Sequence, residues 1–262
     1  MIFKKIKSVI ITFFQYFNIG ITSYSRLKKL SVNENSGNDI EFLLKIPSEN
    51  IPLVLKHFKR SKSQIKQDLF VLSHLNFKKE GFFVEFGASD GIEFSNTYLL
   101  EKEFNWKGIL AEPGKNWHKD LKNNRNVNIE TKCVWKDSDS TLIFNETEIK
   151  VLSTINQFSN LDNWKDNRKL GKKYEVETIS LNKLLNDNNA PHQIDYLSID
   201  TEGSEFEILN NFDFTRYSFN VITCEHNFTP QRNKIFSLLS KHGYKRVYEN
   251  ISQFDDWYIK DS

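Results

Sequence analysis

The run Phe82-Phe83-Val84-Glu85-Phe86 stops at Gly87. A short, almost continuous apolar run of β-forming residues closed by glycine predicts a strand buried on both faces, the kind a parallel sheet uses. The same figure recurs in Lys107 to Glu112, stopped by Pro113, in Ile194 to Asp200, and in Phe219 to Glu225. Helical spacing fills the gaps. It predicts helices over Gln64 to Asn76, Ser95 to Phe104 with Ser95 at the cap, Lys115 to Asn123, Ser180 to Asn186, Glu205 to Asn211 and Gln231 to His242. Val127 to Trp135 predicts one more strand. Thr141 to Phe144 and Lys173 to Thr178 predict two strands on an insertion over about residues 138–175. Tyr244 to Tyr248 and Phe254 to Ile259 predict a hairpin that adds an antiparallel edge strand at the C-terminus. Repeated strand–helix alternation gives an α/β fold, a Rossmann-like, mostly parallel sheet with helices on both faces.

The 262 residues suit one such domain with decoration. A net charge of +2 and the lack of a Lys/Arg block argue against a nucleic-acid partner. Two cysteines, Cys133 and Cys224, with no metal-ligand spacing, argue against a zinc module or disulfide scaffold and fit a reducing cytoplasm. At the N-terminus, Ile2, Ile6, Val9, Ile10, Phe13, Phe14 and Phe17 share one helical face, with Lys4, Lys5, Ser8, Thr12 and Gln15 opposite. Residues 1–30 therefore read as an amphipathic helix suited to the inner face of a membrane or to packing on protein. The run is too interrupted for a span, which needs about 20 apolar residues. Residues 31–60, opening on the polar stretch Ser31 to Asp39, read as linker and lead-in, and the domain as 61–262.

Ligands of open α/β sheets bind beyond the carboxyl ends of the strands, so each exit is a candidate site. The first is Glu85-Phe86-Gly87-Ala88-Ser89-Asp90-Gly91, where Gly87 and Gly91 permit a tight turn and close backbone approach. The string is not GxGxxG, which disfavours a nicotinamide dinucleotide. An acid two residues before the glycine suits a ligand with a cationic amino-acid end, as in S-adenosylmethionine. Glu112 ends the second strand about 25 residues after Gly87, where an acid commonly accepts the ribose hydroxyls of an adenosyl group. Cys133 marks the third exit, bordering a base. The fourth exit holds Asp200, Glu202 and Glu205, the last suited to a helix N-terminus. The fifth holds Glu225, His226 and Asn227, and His226 has the titration range of a general base.

Taken together, Gly81-Phe82-Phe83-Val84-Glu85-Phe86-Gly87-Ala88, Glu112-Pro113, and Ile194 through Asp200-Thr201-Glu202-Gly203-Ser204-Glu205 resemble the FkbM methyltransferase family. The resemblance spans about Ser63 to Ile259. Ser63-Gln64-Ile65-Lys66-Gln67-Asp68 resembles the family's SQxGQD segment, with Lys66 in place of glycine. It implies a class I methyltransferase fold, S-adenosylmethionine as methyl donor and O-methylation, often of sugar or polyketide hydroxyls.

The resulting expectation puts the donor on Glu85, Gly87, Ala88, Ser89, Gly91, Asn96, Glu112 and Cys133. Its methionine end lies by Glu85, Gly87 and Asn96, and its ribose on Glu112. Asp200, Glu202 and His226 face the acceptor, with His226 as base. A second arrangement places Mg²⁺ or another divalent cation on Asp200 and Glu225, because hard cations take oxygen ligands. The rival readings are a nicotinamide-dependent sugar oxidoreductase and a non-catalytic, membrane-associated interaction module.

Overall fold

The computed structural model describes residues 37–261. The chain forms two compact units, Met1–Lys45 and Ile46–Ser262. In the first, residues 37–45 are helical; the amphipathic pattern of residues 1–30 lies outside the described residues. Among those described, no helix is long and apolar enough to cross a membrane.

The second unit begins before the expected boundary at residue 61. Helix α1 (Ile51–His57) buries Val54 and His57. The His57 ring sits 5.0 Å from Phe104, so this histidine belongs to a buried helix face rather than to the surface. Asn50 donates from Nδ2 to the Ser73 carbonyl (2.8 Å), fastening this segment to helix α2 (Gln67–His74). The lead-in is thus part of the domain.

A seven-stranded sheet follows. Its strands are β1 (Phe82–Phe86), β2 (Lys107–Ala111), β3 (Asn128–Glu130), β8 (Gln193–Ile199), β9 (Ser218–Glu225), β10 (Tyr244–Val247) and β11 (Asp255–Lys260), in the order β10-β11-β9-β8-β1-β2-β3. The five strands from β9 to β3 pair in parallel, while β11 runs antiparallel to both β9 and β10. The expected hairpin forms, but its second strand inserts between β9 and the edge. The reason is burial: Trp257 and Tyr258 are wholly enclosed and Asp255 and Asp256 nearly so, whereas β10 shows one buried residue in four.

Alternation along the strands divides the core. Val84, Phe86, Ile109, Ala111, Leu197, Ile199, Ile222 and Cys224 pack against α6 (Leu181–Asp187), α7 (Glu205–Asn210) and α8 (Gln231–Lys241). On the other face, Phe70 of α2 stacks on Trp257 at 4.6 Å, and Glu85 meets residues that lead into α3 (Tyr98–Phe104). Helix α4 (His118–Asn124) follows β2 and buries Leu121.

The expected single strand over Val127 to Trp135 is two. Glu130 accepts the amides of Thr131 (2.8 Å) and Lys132 (2.9 Å) on Oε1, which turns the chain out of the main sheet. The next strand, β4 (Cys133–Trp135), joins β5 (Thr141–Glu146), β6 (Thr154–Ile155) and β7 (Lys172–Ser180) in a second sheet of order β4-β7-β5-β6. This sheet, with the short helix α5 (Lys165–Arg168), is the insertion. Ser180 caps α6 as expected, accepting the Lys183 amide on Oγ at 3.2 Å.

Candidate active site

The order of the strands reverses at β1, and a crevice opens beyond the carboxyl ends there. A cavity of about 210 Å³ occupies it, lined from the exits of β1, β2, β8 and β9, from the start of β4 and from the rest of the insertion.

At the β1 exit, Gly87 has φ +74°, and a Cβ there would stand 1.9 Å from the carbonyl oxygen of Asp200. Only glycine lets the two loops touch. Glu85 points to the opposite face from Val84 and is buried. Its carboxylate accepts from Ser95 Oγ (3.0 Å), the Asn96 amide (2.6 Å) and Thr97 Oγ1 (2.5 Å). Arg125, whose side chain is 0% exposed, lies 3.8 Å from it. The same guanidinium donates to Glu101, to the Gly91 carbonyl (3.0 Å) and to Ser95 and Thr97. Burial pushes the Glu85 carboxyl up, against the pull of Arg125 and the three hydrogen bonds. Arg125 thereby moulds residues 91–97 around Glu85. Asn96 lines the cavity and donates from Nδ2 to Ser198 Oγ (2.9 Å); its Oδ1 is buried with no partner among the described residues.

At the β2 exit, Glu112 takes one backbone donor on each oxygen: Ser89 on Oε2 (2.9 Å) and Gly114 on Oε1 (2.7 Å). Each oxygen keeps a lone pair for a further donor. Burial pushes this carboxyl up to about 7, opposed by the two backbone donors and aided by the charges of Asp200 and Glu146. Trp117 and Cys133 line the cavity beside it. Burial pushes the Cys133 thiol up to about 12, so it stays protonated and apolar.

At the β8 and β9 exits, Asp200, Glu202 and Glu225 each offer one oxygen within 4.8 Å of the others. Burial drives all three up, and their mutual repulsion raises Glu202 and Glu225 further. Asp200 rises to about 6 and is relieved by a hydrogen bond from Glu225. Asp200 is raised least of the three, because the hydrogen bond from Glu225 favours its charged form. Asn227 donates to Glu202 Oε2 (3.2 Å). Glu205 turns inward to its own loop, accepting from the Thr201 and Gly203 amides (both 3.0 Å), as a helix N-terminal acid does.

The insertion closes one side. Lys150, Val151, Leu152, Ser153, Ile155 and Trp164 line the cavity, and Trp164 remains 45% exposed at its mouth.

Of the residues expected at the site, Glu85, Gly87, Ser89, Asn96, Glu112, Cys133, Asp200, Glu202 and Glu225 meet in this one cavity. Ala88 and Gly91 do not line it: Ala88 accepts the Gly91 amide (2.8 Å), and both serve to bend the loop. His226 is a clearer correction. Its amide donates to the Phe254 carbonyl (2.9 Å), which turns the side chain toward β11. Nδ1 accepts the Phe228 amide (2.9 Å) and Nε2 lies 3.8 Å from Asp256. Its ring lone pair is already used and burial lowers its basicity, so it is not placed to take a proton from the cavity. The expectations missed Arg125, Arg168, Trp117 and Lys150. No local pattern marks them; only Pro113-Gly114 ahead of Trp117 hinted at a loop pressed against Glu112.

A family model described as a methyltransferase FkbM domain matches residues 85–246, more than half of the chain. No curated protein matches. Among solved structures, the chain is similar to a methyltransferase FkbM from Methylobacillus flagellatus KT (10% identity, 80% of this chain, 59% of that one, TM-score 0.43). It is also similar to a precorrin-6y C5,15-methyltransferase from Geobacter metallireducens GS-15 (14%, 69% and 71%, 0.40). A third is a TehB-like SAM-dependent methyltransferase from Corynebacterium glutamicum ATCC 13032 Kitasato (7%, 82% and 98%, 0.39). The assignment rests on the family match: the chain belongs to the FkbM methyltransferase family.

Proposed function

We propose that the chain transfers the methyl group of S-adenosylmethionine to a hydroxyl of a sugar or glycan precursor, as a step in polysaccharide biosynthesis. The observation that carries this reading is a single cavity with two chemically different ends. One end has the Gly87 loop, the unpaired Asn96 Oδ1 and Glu112 with free lone pairs, suited to an ammonium group and ribose hydroxyls. The other has Asp200, Glu202, Glu225 and Asn227, polar groups that can hydrogen-bond sugar hydroxyls, and the partly exposed Trp164 lines the same cavity as a surface on which a sugar ring could stack.

In the proposed step the acceptor oxygen attacks the methyl carbon, the carbon–sulfur bond breaks toward a neutral thioether, and the hydroxyl proton passes to Asp200. Sulfonium activation belongs to the donor, so the protein supplies alignment and one base. Asp200 is chosen over His226 because it lines the cavity, and Glu225 steadies its carboxylate. The test is incubation with methyl-labelled donor and a panel of glycans and glycan precursors, followed by mass analysis. Label on a carbon or nitrogen, or on no carbohydrate in the panel, would sink the reading.

A second reading places a divalent cation such as Mg²⁺ on Asp200 and Glu225, with Glu202 close by. The clustering of three carboxylate oxygens within 4.8 Å supports it, since such oxygens suit a hard cation. The ion would lower the pKa of the acceptor hydroxyl. Full transfer in excess EDTA eliminates it. Two buried free cysteines support a cytoplasmic location, and the amphipathic residues 1–30 support contact with the inner membrane face.

A further inference from the structure

Arg168 is buried completely and lies on the insertion, outside the parallel sheet. Its three nitrogens are all committed: Nη2 to Glu202 Oε2, Nη1 to Asp162 Oδ1 and Nε to the Leu152 carbonyl, each at 2.7 Å. Its own carbonyl accepts Asn145 Nδ2 at 2.9 Å. A guanidinium fork fixes orientation as well as distance, which a point charge does not. Two arms of this fork end on residues that line the cavity, Leu152 from the insertion and Glu202 from the β8 loop. Thr154 Oγ1 doubles the connection, donating to the Glu202 carbonyl at 2.9 Å.

The segment held this way reaches the other end of the site. Two residues before Leu152, Lys150 places Nζ 4.6 Å from the centre of the Trp117 ring. Trp117 in turn lies 3.1 Å from where a Cβ on Gly114 would stand, and the Gly114 amide holds Glu112. An unbroken line of contacts therefore runs from Arg168 through residues 150–152 and Trp117 to the carboxylate assigned to the donor ribose. We propose that the insertion is the outer wall of the donor site and that Arg168 is the positioning residue that sets it there. This rests on the donor assignment made above. Arg168 touches no donor atom in this scheme; it acts through Leu152, Lys150 and Trp117. A purely structural ion pair would leave donor affinity unchanged in any variant that folds.

The experiment uses the full chain and S-adenosylhomocysteine as probe. Calorimetry on Arg168→Gln is expected to give a Kd about tenfold weaker or more, the loss of one charge-assisted contact network. Arg168→Lys, which keeps the charge but not the fork, recovers part of it, and Lys150→Ala, on the mouth, weakens binding by about threefold. Hydrogen exchange on the unmutated chain is expected to show residues 150–155 gaining protection when the probe binds. A folded Arg168→Gln with a Kd within about twofold of the unmutated chain overturns the proposal. If that variant does not fold, unchanged exchange at residues 150–155 overturns it instead. Failure of the unmutated chain to bind the probe is a different result: it removes the donor assignment itself, and this proposal with it.

Discussion

The two ends of the cavity are both built on buried carboxylates, and they are held in opposite ways. At the donor end, Glu85 and Glu112 are met by donors: three hydrogen bonds and Arg125 for the first, two backbone amides for the second. At the acceptor end, Arg168 from the insertion and Asn227 meet Glu202, but Asp200 and Glu225 chiefly meet each other and Glu202. A satisfied carboxylate is a rigid fixture, and a crowded one is a reservoir of proton affinity. The first arrangement suits holding a ligand in one pose. The second suits accepting a proton, and it costs stability, as functional sites commonly do.

The largest test of this contrast is Asp200→Asn. Methyl transfer is expected to fall by about 10²- to 10⁴-fold, the usual contribution of a positioned base, while S-adenosylhomocysteine affinity stays as it was. In the unmutated enzyme kcat/KM should climb with pH through about 6, where Asp200 loses its proton, and this limb should vanish in the variant. Stability should move the other way. The folded pKa of Asp200 is raised above its unfolded value of 3.8, so its contribution is fully present below that pH and is lost as pH rises through about 6. Asn at this position escapes that loss. The variant should gain on the order of 1 kcal/mol over the unmutated chain between pH 4 and 7 by urea unfolding. A clear loss of stability at pH 7 would show that the acceptor end is satisfied after all, and the contrast would fail.

Arg125→Met tests the donor end by the same measurement. It leaves Glu85 buried without its cation and Glu101 with Lys102 alone, and is expected to cost about 3–5 kcal/mol. A loss below about 1 kcal/mol would mean that the hydroxyl and amide donors suffice and the guanidinium is incidental. Next in size is Glu112→Ala. Loss of the ribose contacts should weaken S-adenosylhomocysteine binding by about 1–3 kcal/mol in calorimetry. An unchanged Kd removes Glu112 from the ribose role and leaves it a brace between the Ser89 and Gly114 loops.

The contrast also separates what the residues disclose from what they do not. Four of the five strand exits were legible, because a buried parallel strand must be apolar and must stop, and Gly87, Glu112, Asp200 and Glu225 stand where the apolar runs stop; the third was not, since Cys133 begins a strand of the second sheet. Alternation past a strand end was not. Asn227 reaches the cavity, but His226 is turned away by a backbone bond to Phe254 from a hairpin distant in sequence. The two organising arginines were hidden for a related reason. Arg125 lies in Lys-Asn-Asn-Arg-Asn and Arg168 in Lys-Asp-Asn-Arg-Lys, strings that read as solvated loops or surface helix. Each becomes buried only when a remote segment closes over it. The split of the expected third strand depended on one side chain, Glu130, accepting two successive amides.

The smallest effect concerns the turn that braces the acceptor end from behind. Gln67 donates to Asp255 at 2.9 Å, and burial pushes the Asp255 carboxyl up to about 8, helped by the charge of Asp200. The residue before Gln67 is Lys66, at φ 71° and ψ 29°, the left-handed conformation that the family's glycine accepts without penalty. For a side chain that conformation costs about 1–2 kcal/mol. Lys66 recovers part of it by placing Nζ 5.1 Å from the centre of the Phe58 ring, worth about 0.5–1 kcal/mol at an exposed site. Glycine also gives the unfolded chain more freedom, by about 0.4–1 kcal/mol. The three terms nearly cancel, so Lys66→Gly should shift unfolding by less than about 1 kcal/mol in either direction and leave the pH limb of kcat/KM in place. A displaced limb would mean that strain in this turn is transmitted through Gln67 and Asp255 to Asp200. The proton affinity of the acceptor end would then depend on the turn behind it as well as on the carboxylates themselves.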